Sequence, residues 1–253
     1  IKAEKDSLNK VLLGKNNDKE KEQFVAATTK EDQKDRMTTK RIDGWSISVT
    51  AGPNIPLGSY AKSNSSGDYA LLGAYVSMDN YWHFGRVMGL VVGFSYDNNK
   101  FNAEVFVNQA MTQAGLNPNN LSIINSTRPY SNVSFRIGPN IRYLGNNASL
   151  HFNPFIGMSI HEMYDLRSDI SDGSNFAFVS IKGKGNTYFI TGADLSCNIH
   201  FGGRVDAIIG LRFTYGNVKV NFTAEGTNSP ITNNSAKYDV LNLAPNFGLR
   251  FHL

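Results

Sequence analysis

No stretch of this chain holds 18 consecutive apolar residues, so a helix long and apolar enough to cross a bilayer is not expected. That absence leaves a membrane-spanning β-barrel open, because only alternate strand residues would face lipid. Cysteine is nearly missing too: Cys197 stands alone, which excludes a disulfide within the chain. The net charge of +4 is spread along the sequence rather than gathered in a basic patch, so no nucleic-acid partner is expected. Metal-ligand spacings, a phosphate-binding loop and a G-x-S-x-G elbow are all lacking. No catalytic residue, metal or cofactor is therefore expected. The chain begins at Ile1, and a cleaved export signal is compatible with that start but not visible.

What is present divides in two. Residues 1–43 carry 11 Lys/Arg and 9 Asp/Glu, while the whole remainder carries 14 and 12. The change falls near Asp43–Gly44. Residues 1–43 read as a charged extension, partly helical or disordered. Its few apolar residues, Leu8, Val11, Leu12, Phe24 and Val25, are the candidates for docking on a protein partner.

From Gly44 the pattern has period 2, which puts unlike side chains on opposite faces of a strand. The last thirteen residues show it most fully. Leu241, Leu243, Pro245, Phe247, Leu249, Phe251 and Leu253 alternate with Asn242, Ala244, Asn246, Gly248, Arg250 and His252. Seven more such segments precede it, beginning near Trp45, Ala70, Met88, Val133, Leu150, Phe189 and Val205. Links between the second and third, fourth and fifth, and sixth and seventh are short. The others, about 58–68, 97–129, 162–186 and 216–237, read as long polar loops, with a helical turn at 108–115. Short turns on one side and long loops on the other predict an all-β fold: an eight-stranded antiparallel up-and-down transmembrane barrel spanning 44–253.

The polar face is rich in Gly, Ser and Asn and poor in Lys and Glu, which suits a crowded barrel interior better than a water-facing sheet. Its charges have both signs: Arg136, Arg142, Arg204, Arg212 and Arg250 with Asp79, Asp194 and Asp206. Arg136, Arg142, Asp194, Asp206, Arg212 and Arg250 are the candidates for a network that fills and plugs the lumen. Pro53, Pro139, Pro154 and Pro245 fall on the outer phase, where bulges would accommodate their missing donors. Trp45, Tyr143 and Phe251 fit an aromatic belt at the short-turn rim.

Two weaker constellations compete with a purely polar filling. Ser159, His161, Glu162 and Asp194 have the residue types of a nucleophile and its base, but the Ser and His lie on the lumen phase, away from lipid. His151, His161, His200 and His252 also share that phase, and a metal would need them to converge. A hydrogen-bonded network is the plainer expectation for both sets.

Residues 44–253 resemble the outer-membrane β-barrel domain of small porin-like proteins of the Bacteroidota. The resemblance rests on the closing run from Asn246 to Leu253 and on Gly-Pro-Asn-Ile at 52–55 and 138–141, with Ala-Pro-Asn-Phe at 244–247 as a variant. It implies an outer-membrane location, with bilayer lipid around the barrel and the extension in the periplasm. Phe247, Leu249, Phe251 and Leu253 would then be the insertion signal read by the barrel-assembly machinery, although Leu253 stands where many such proteins end in an aromatic. Asp6-Ser7-Leu8 is similar to an O-glycosylation site of the same group. The expected role is a structural or interaction subunit with protein partners in the outer membrane or periplasm. The alternatives are a small diffusion pore and, less favoured, a lipid-modifying enzyme.

Overall fold

The computed structural model describes residues 44–63, 69–201, 203–227 and 229–253. The candidate docking residues Leu8, Val11, Leu12, Phe24 and Val25, and Ser7, lie outside them. Eleven strands follow in order: β1 (Gly44–Pro56), β2 (Ala70–Phe84), β3 (Met88–Phe101), β4 (Ser122–Arg128), β5 (Tyr130–Leu144), β6 (Ala148–Glu162), β7 (Asp165–Ser171), β8 (Phe176–Lys184), β9 (Asn186–His200), β10 (Val205–Gly226) and β11 (Ser229–His252). Among the described residues two α-helices, α1 (Gly58–Ala61) and α2 (Ala103–Gln113), and a 3-10 turn at Pro118–Asn120 sit in the connections.

Eight of the strands form a closed antiparallel ring, β1-β2-β3-β5-β6-β9-β10-β11, which β1 completes by pairing with β11. Closure removes both sheet edges, and unpaired backbone groups cannot face hydrocarbon. The alternation of the sequence becomes an inside and an outside. On β10, Val205, Ala207, Ile209, Leu211, Phe213 and Tyr215 point outward, while Asp206, Ile208 and Arg212 are buried within. That outward run spans eleven residues, which at the usual strand tilt matches an apolar band about 25 Å tall. Trp45, Trp82, Phe84, Tyr143 and Phe251 ring its short-turn end, with Trp45 and Trp82 stacked at 6.5 Å.

The ring's wall continues above the band on one side. The segments 162–186 and 216–237, expected as loops, are largely strand. β4, β7 and β8 extend the wall in the order β10-β8-β7-β4, and β10 and β11 run on as one long hairpin. They were illegible as strands because the polarity inverts. Above Tyr215 the inward positions Val218 and Val220 are apolar, and the outward ones, Asn217, Lys219 and Asn221, are polar. The strand keeps its period while its two faces exchange solvent.

The 97–129 connection also differs from expectation. Val105 and Val107 belong to α2, which starts at Ala103 because the Asn102 side chain caps the Val105 amide at 3.4 Å. Ala103, Val107 and Met111, four apart, make its buried stripe. Gly115, at φ +78°, carries the chain away.

The outer-phase prolines are not accommodated by bulges. Between β1 and β11 the ladder breaks from Ala51↔Phe247 to Ile55↔Leu243, with equal lengths on both strands, so register is kept. Pro53 and Pro245 face each other in that break. Between β5 and β6 the same break, from Ile137↔Ile156 to Ile141↔Phe152, holds Pro139 opposite Pro154. Each proline still pairs in register with its other neighbour: Ala74, Leu211, Leu90 and Ala193. The missing donors thus meet on two rungs instead of disturbing four. The glycine of each Gly-Pro is needed here, because a Cβ on Gly52 or Gly138 would run into the carbonyl of the opposing proline.

Candidate functional site: a lumen sealed in layers

The interior is where the sequence-singled residues gather, and they do so in tiers. The middle tier is ionic. Asp79 on β2, Arg136 on β5, Asp194 on β9 and Arg212 on β10 meet across the barrel axis. Arg136 pairs with Asp79, and Arg212 pairs with Asp194, which lies directly opposite it on the neighbouring strand. Cross-links complete the square: Arg212 to Asp79 at 3.2 Å and Arg136 to Asp194 at 3.8 Å. Two cations and two anions balance, as burial demands. Asp79, Gly93 and Arg136 share one rung, and a Cβ on Gly93 would strike both charged partners. Ser77 and Ser95 accept further hydrogen bonds from Arg136, at 3.1 and 3.2 Å. The guanidinium of Arg212 lies 4.8 Å from the Tyr75 ring centre.

Toward the short-turn side, Arg250 rests 3.9 Å over Tyr81 and 3.1 Å from His151. His151 also contacts Ser149 and Asn140, each at 3.0 Å. At the rim, Asp206 bridges His200 at 2.9 Å and His252 at 2.6 Å, and Arg142 donates to the Gly85 carbonyl at 2.6 Å. So Arg136, Asp194 and Arg212 form one cluster with Asp79, while Arg250, Arg142 and Asp206 stand in separate tiers. Arg204 is corrected: it lies exposed in the turn before β10, not inside.

The two weaker constellations do not assemble. Ser159 Oγ accepts from Ser134 Oγ at 2.9 Å, while His161 engages Tyr238 at 2.6 Å and Asn132 at 2.7 Å. Asp194 belongs to the ionic tier, and Glu162 faces outward. His161 lies far from the rim histidines, and no group of three or more metal-ligating side chains converges among the described residues.

The upper tier is one that the alternation did not reveal. It is apolar and aromatic. Tyr60 of α1, fully buried, meets Tyr130 edge-on at 5.3 Å and stacks on Tyr238 at 6.2 Å. Phe101 stacks on Tyr164 at 3.6 Å, and α2 packs its stripe onto the same cluster with Val218, Val220 and Val240. Two inward glycines make room for rings: a Cβ on Gly192 would meet Phe155, and one on Gly216 would meet Tyr188. The sequence signal for it was a pair of bulky residues on the lumen phase, Phe155 and Tyr188. A cavity between the ionic and aromatic tiers, lined by Arg136, Arg212, Phe155 and Ile190, measures about 10 Å³, room for about one water.

The fold and its interior define a small membrane-spanning β-barrel with an occluded lumen. No protein-family model matches the chain, and no curated protein sequence does. Among solved structures it is similar to surface protein A of Neisseria, at 12% identity and TM-score 0.44, covering 83% of this chain and 97% of that one. A major outer membrane protein of Thermus thermophilus gives 11% and 0.45, covering 82% and 99%. The attachment invasion locus protein of Yersinia pestis gives 13% and 0.39, covering 83% and 100%. The assignment to this class rests on the chain's own closed ladder and its inside-out polarity.

Proposed function

We propose that the protein is an outer-membrane barrel of Gram-negative bacteria that works as a structural or interaction subunit rather than a conduit. The carrying observation is the seal: an ionic tier and an aromatic tier stacked in series, with a cavity of about 10 Å³ between them. A barrel that invests its whole interior in cross-links is built for rigidity, and its informative surfaces are external. Those surfaces are the tall wall of β4, β7, β8, β10 and β11 and, on this reading, the charged extension, which would reach partners in the periplasm. Phe247, Leu249 and Phe251 stand outward on β11, with exposed Leu253 just past its end, available to the assembly machinery before β1 pairs with the strand. The resemblance to Bacteroidota barrels supports the same reading.

In planar bilayers the purified full chain is expected to give no stepwise conductance. A reproducible open channel would replace this reading with that of a diffusion pore. Deletion of residues 1–40 is expected to remove proteins that co-purify from native membranes in mild detergent; an unchanged set would remove the extension from the proposal.

A further inference from the structure

The wall between β9 and β10 is not zipped along its whole height. Their ladder runs from Asp206↔His200 up to Gly216↔Ile190 and stops. β10 pairs next with β8, from Asn221↔Lys184 upward. Between those limits, residues 186–189 and 217–220 keep only their other neighbours, β6 and β11. A hydrogen bond from the Asn186 side-chain Nδ2 to the Lys219 carbonyl spans the gap. The gap opens outward as a cleft of about 880 Å³. Its floor is Tyr188 and Ile190, both buried in the aromatic tier, so it is blind and does not reach the lumen. Phe189 and Tyr215 flank it and Lys219 stands at its upper lip.

Its height is informative. Here the outward residues change from Phe213 and Tyr215 to Asn217 and Lys219, the boundary between hydrocarbon and headgroups in a bilayer. Just above it stand four outward lysines. Lys219 faces Lys237 on one rung, Lys184 faces Asn221, and Lys182 faces Thr223. None has a carboxylate at ion-pair distance among the described residues. Asp165 lies directly opposite Lys182 on β7 and Glu225 stands opposite Ser180 just beyond it, so these two acids sit beside Lys182 and away from Lys184, Lys219 and Lys237. Asp239 accepts from Tyr215 at 3.1 Å and from Asn217 at 2.7 Å. Glu162 accepts from Ser131 at 3.2 Å, and Asp165 accepts from the Gly183 amide while pairing with Arg128. Like charges directly opposed on a rung destabilise a sheet unless an anion lies between them.

We propose that this cleft binds a phosphate-bearing lipid of the outer leaflet, with an acyl chain in the cleft and phosphate on Lys184, Lys219 and Lys237. The inference rests on the outer-membrane reading above. A lipid is the occupant because the mouth opens at the hydrocarbon boundary while the cations stand on the headgroup side.

The test uses the full chain in non-ionic detergent, with native mass spectrometry against three probes: diphosphorylated lipid A, its dephosphorylated form, and inorganic phosphate. The wild type is expected to retain one diphosphorylated lipid A. Replacing Lys184, Lys219 and Lys237 together by Ala weakens this at least about tenfold, and replacing them by Arg does not. Thr187→Trp, which fills the cleft without removing a cation, weakens it as well. Equal binding by the wild type and the triple Ala variant overturns the proposal. So does equal retention of the dephosphorylated lipid, or full competition by phosphate alone. A heat-dependent gel shift reports whether each variant is folded. Recovery in the outer-membrane fraction of cells tests the location separately.

Discussion

A buried charge is decided by its immediate partners, and Asp194 shows how. It holds Arg212 directly opposite and Arg136 across the axis, so its removal leaves more positive than negative charge in a closed space. Breaking one side of such a pair costs about 3–5 kcal/mol, whereas replacing both sides by apolar groups is often close to neutral. Asp194→Ala is therefore expected to destabilise the barrel by several kcal/mol in urea titrations from lipid vesicles. Asp194→Leu with Arg212→Met is expected to cost less than the two single changes summed. Additive costs would mean the pair contributes nothing through its contact. Outside the membrane a carboxylate takes a different partner set. In the β7–β8 turn, the Asn175 side chain and the amides of Asn175 and Ser174 hold Asp172 down at a pKa of about 2.

At the scale of the strand, the seven alternating segments and the closing one were legible because lipid and lumen demand opposite chemistry at successive residues. Legibility ended where the solvents changed sides. Val218, Val220, Tyr238 and Val240 continue β10 and β11 perfectly well, but on the phase that had been polar below. Apart from Arg204, which lies in a turn, the charged residues of the lumen could be named from their phase, yet their partners could not. Asp79 and Arg136 meet across an intervening strand, and only Gly93 between them lets them do so. The prolines were placed correctly on the outer phase, but the sequence cannot state which proline faces which. Pairing Pro139 with Pro154 predicts a specific rescue. Pro139→Val with Pro154→Val supplies two amides to one rung of β5 and β6, each hydrogen bond contributing about 1 kcal/mol. Hydrogen exchange should find both new amides protected. Free exchange there would mean the strands are held apart by something other than the missing donors.

For the whole molecule, the two proline rungs lie on opposite sides of the ring, at β1/β11 and β5/β6, so they divide the eight strands into two sets of four. The ionic square ties those sets together, since Asp79 and Arg136 belong to one and Asp194 and Arg212 to the other. Sealing is thus a by-product of the same contacts that join the halves, and it is doubled by the aromatic tier above. Three barriers in series, the aromatic tier, the ionic square and the tier of Arg250, Tyr81 and His151 below it, impose a definite pattern on variants. Replacing Asp79, Arg136, Asp194 and Arg212 by Ala removes balanced charge and opens the middle barrier, but the ring of Tyr60, Tyr130 and Tyr238 still closes the mouth. Replacing those three tyrosines by Ala opens the upper barrier and leaves the ionic square shut. Neither variant is expected to conduct in planar bilayers, and conduction is expected only when both are combined with Tyr81→Ala and Arg250→Ala, which clear the tier below the ionic square. Conduction by the tyrosine variant alone would show that the two lower tiers are permeable to water and ions, and the rigid, sealed barrel would give way to a gated one.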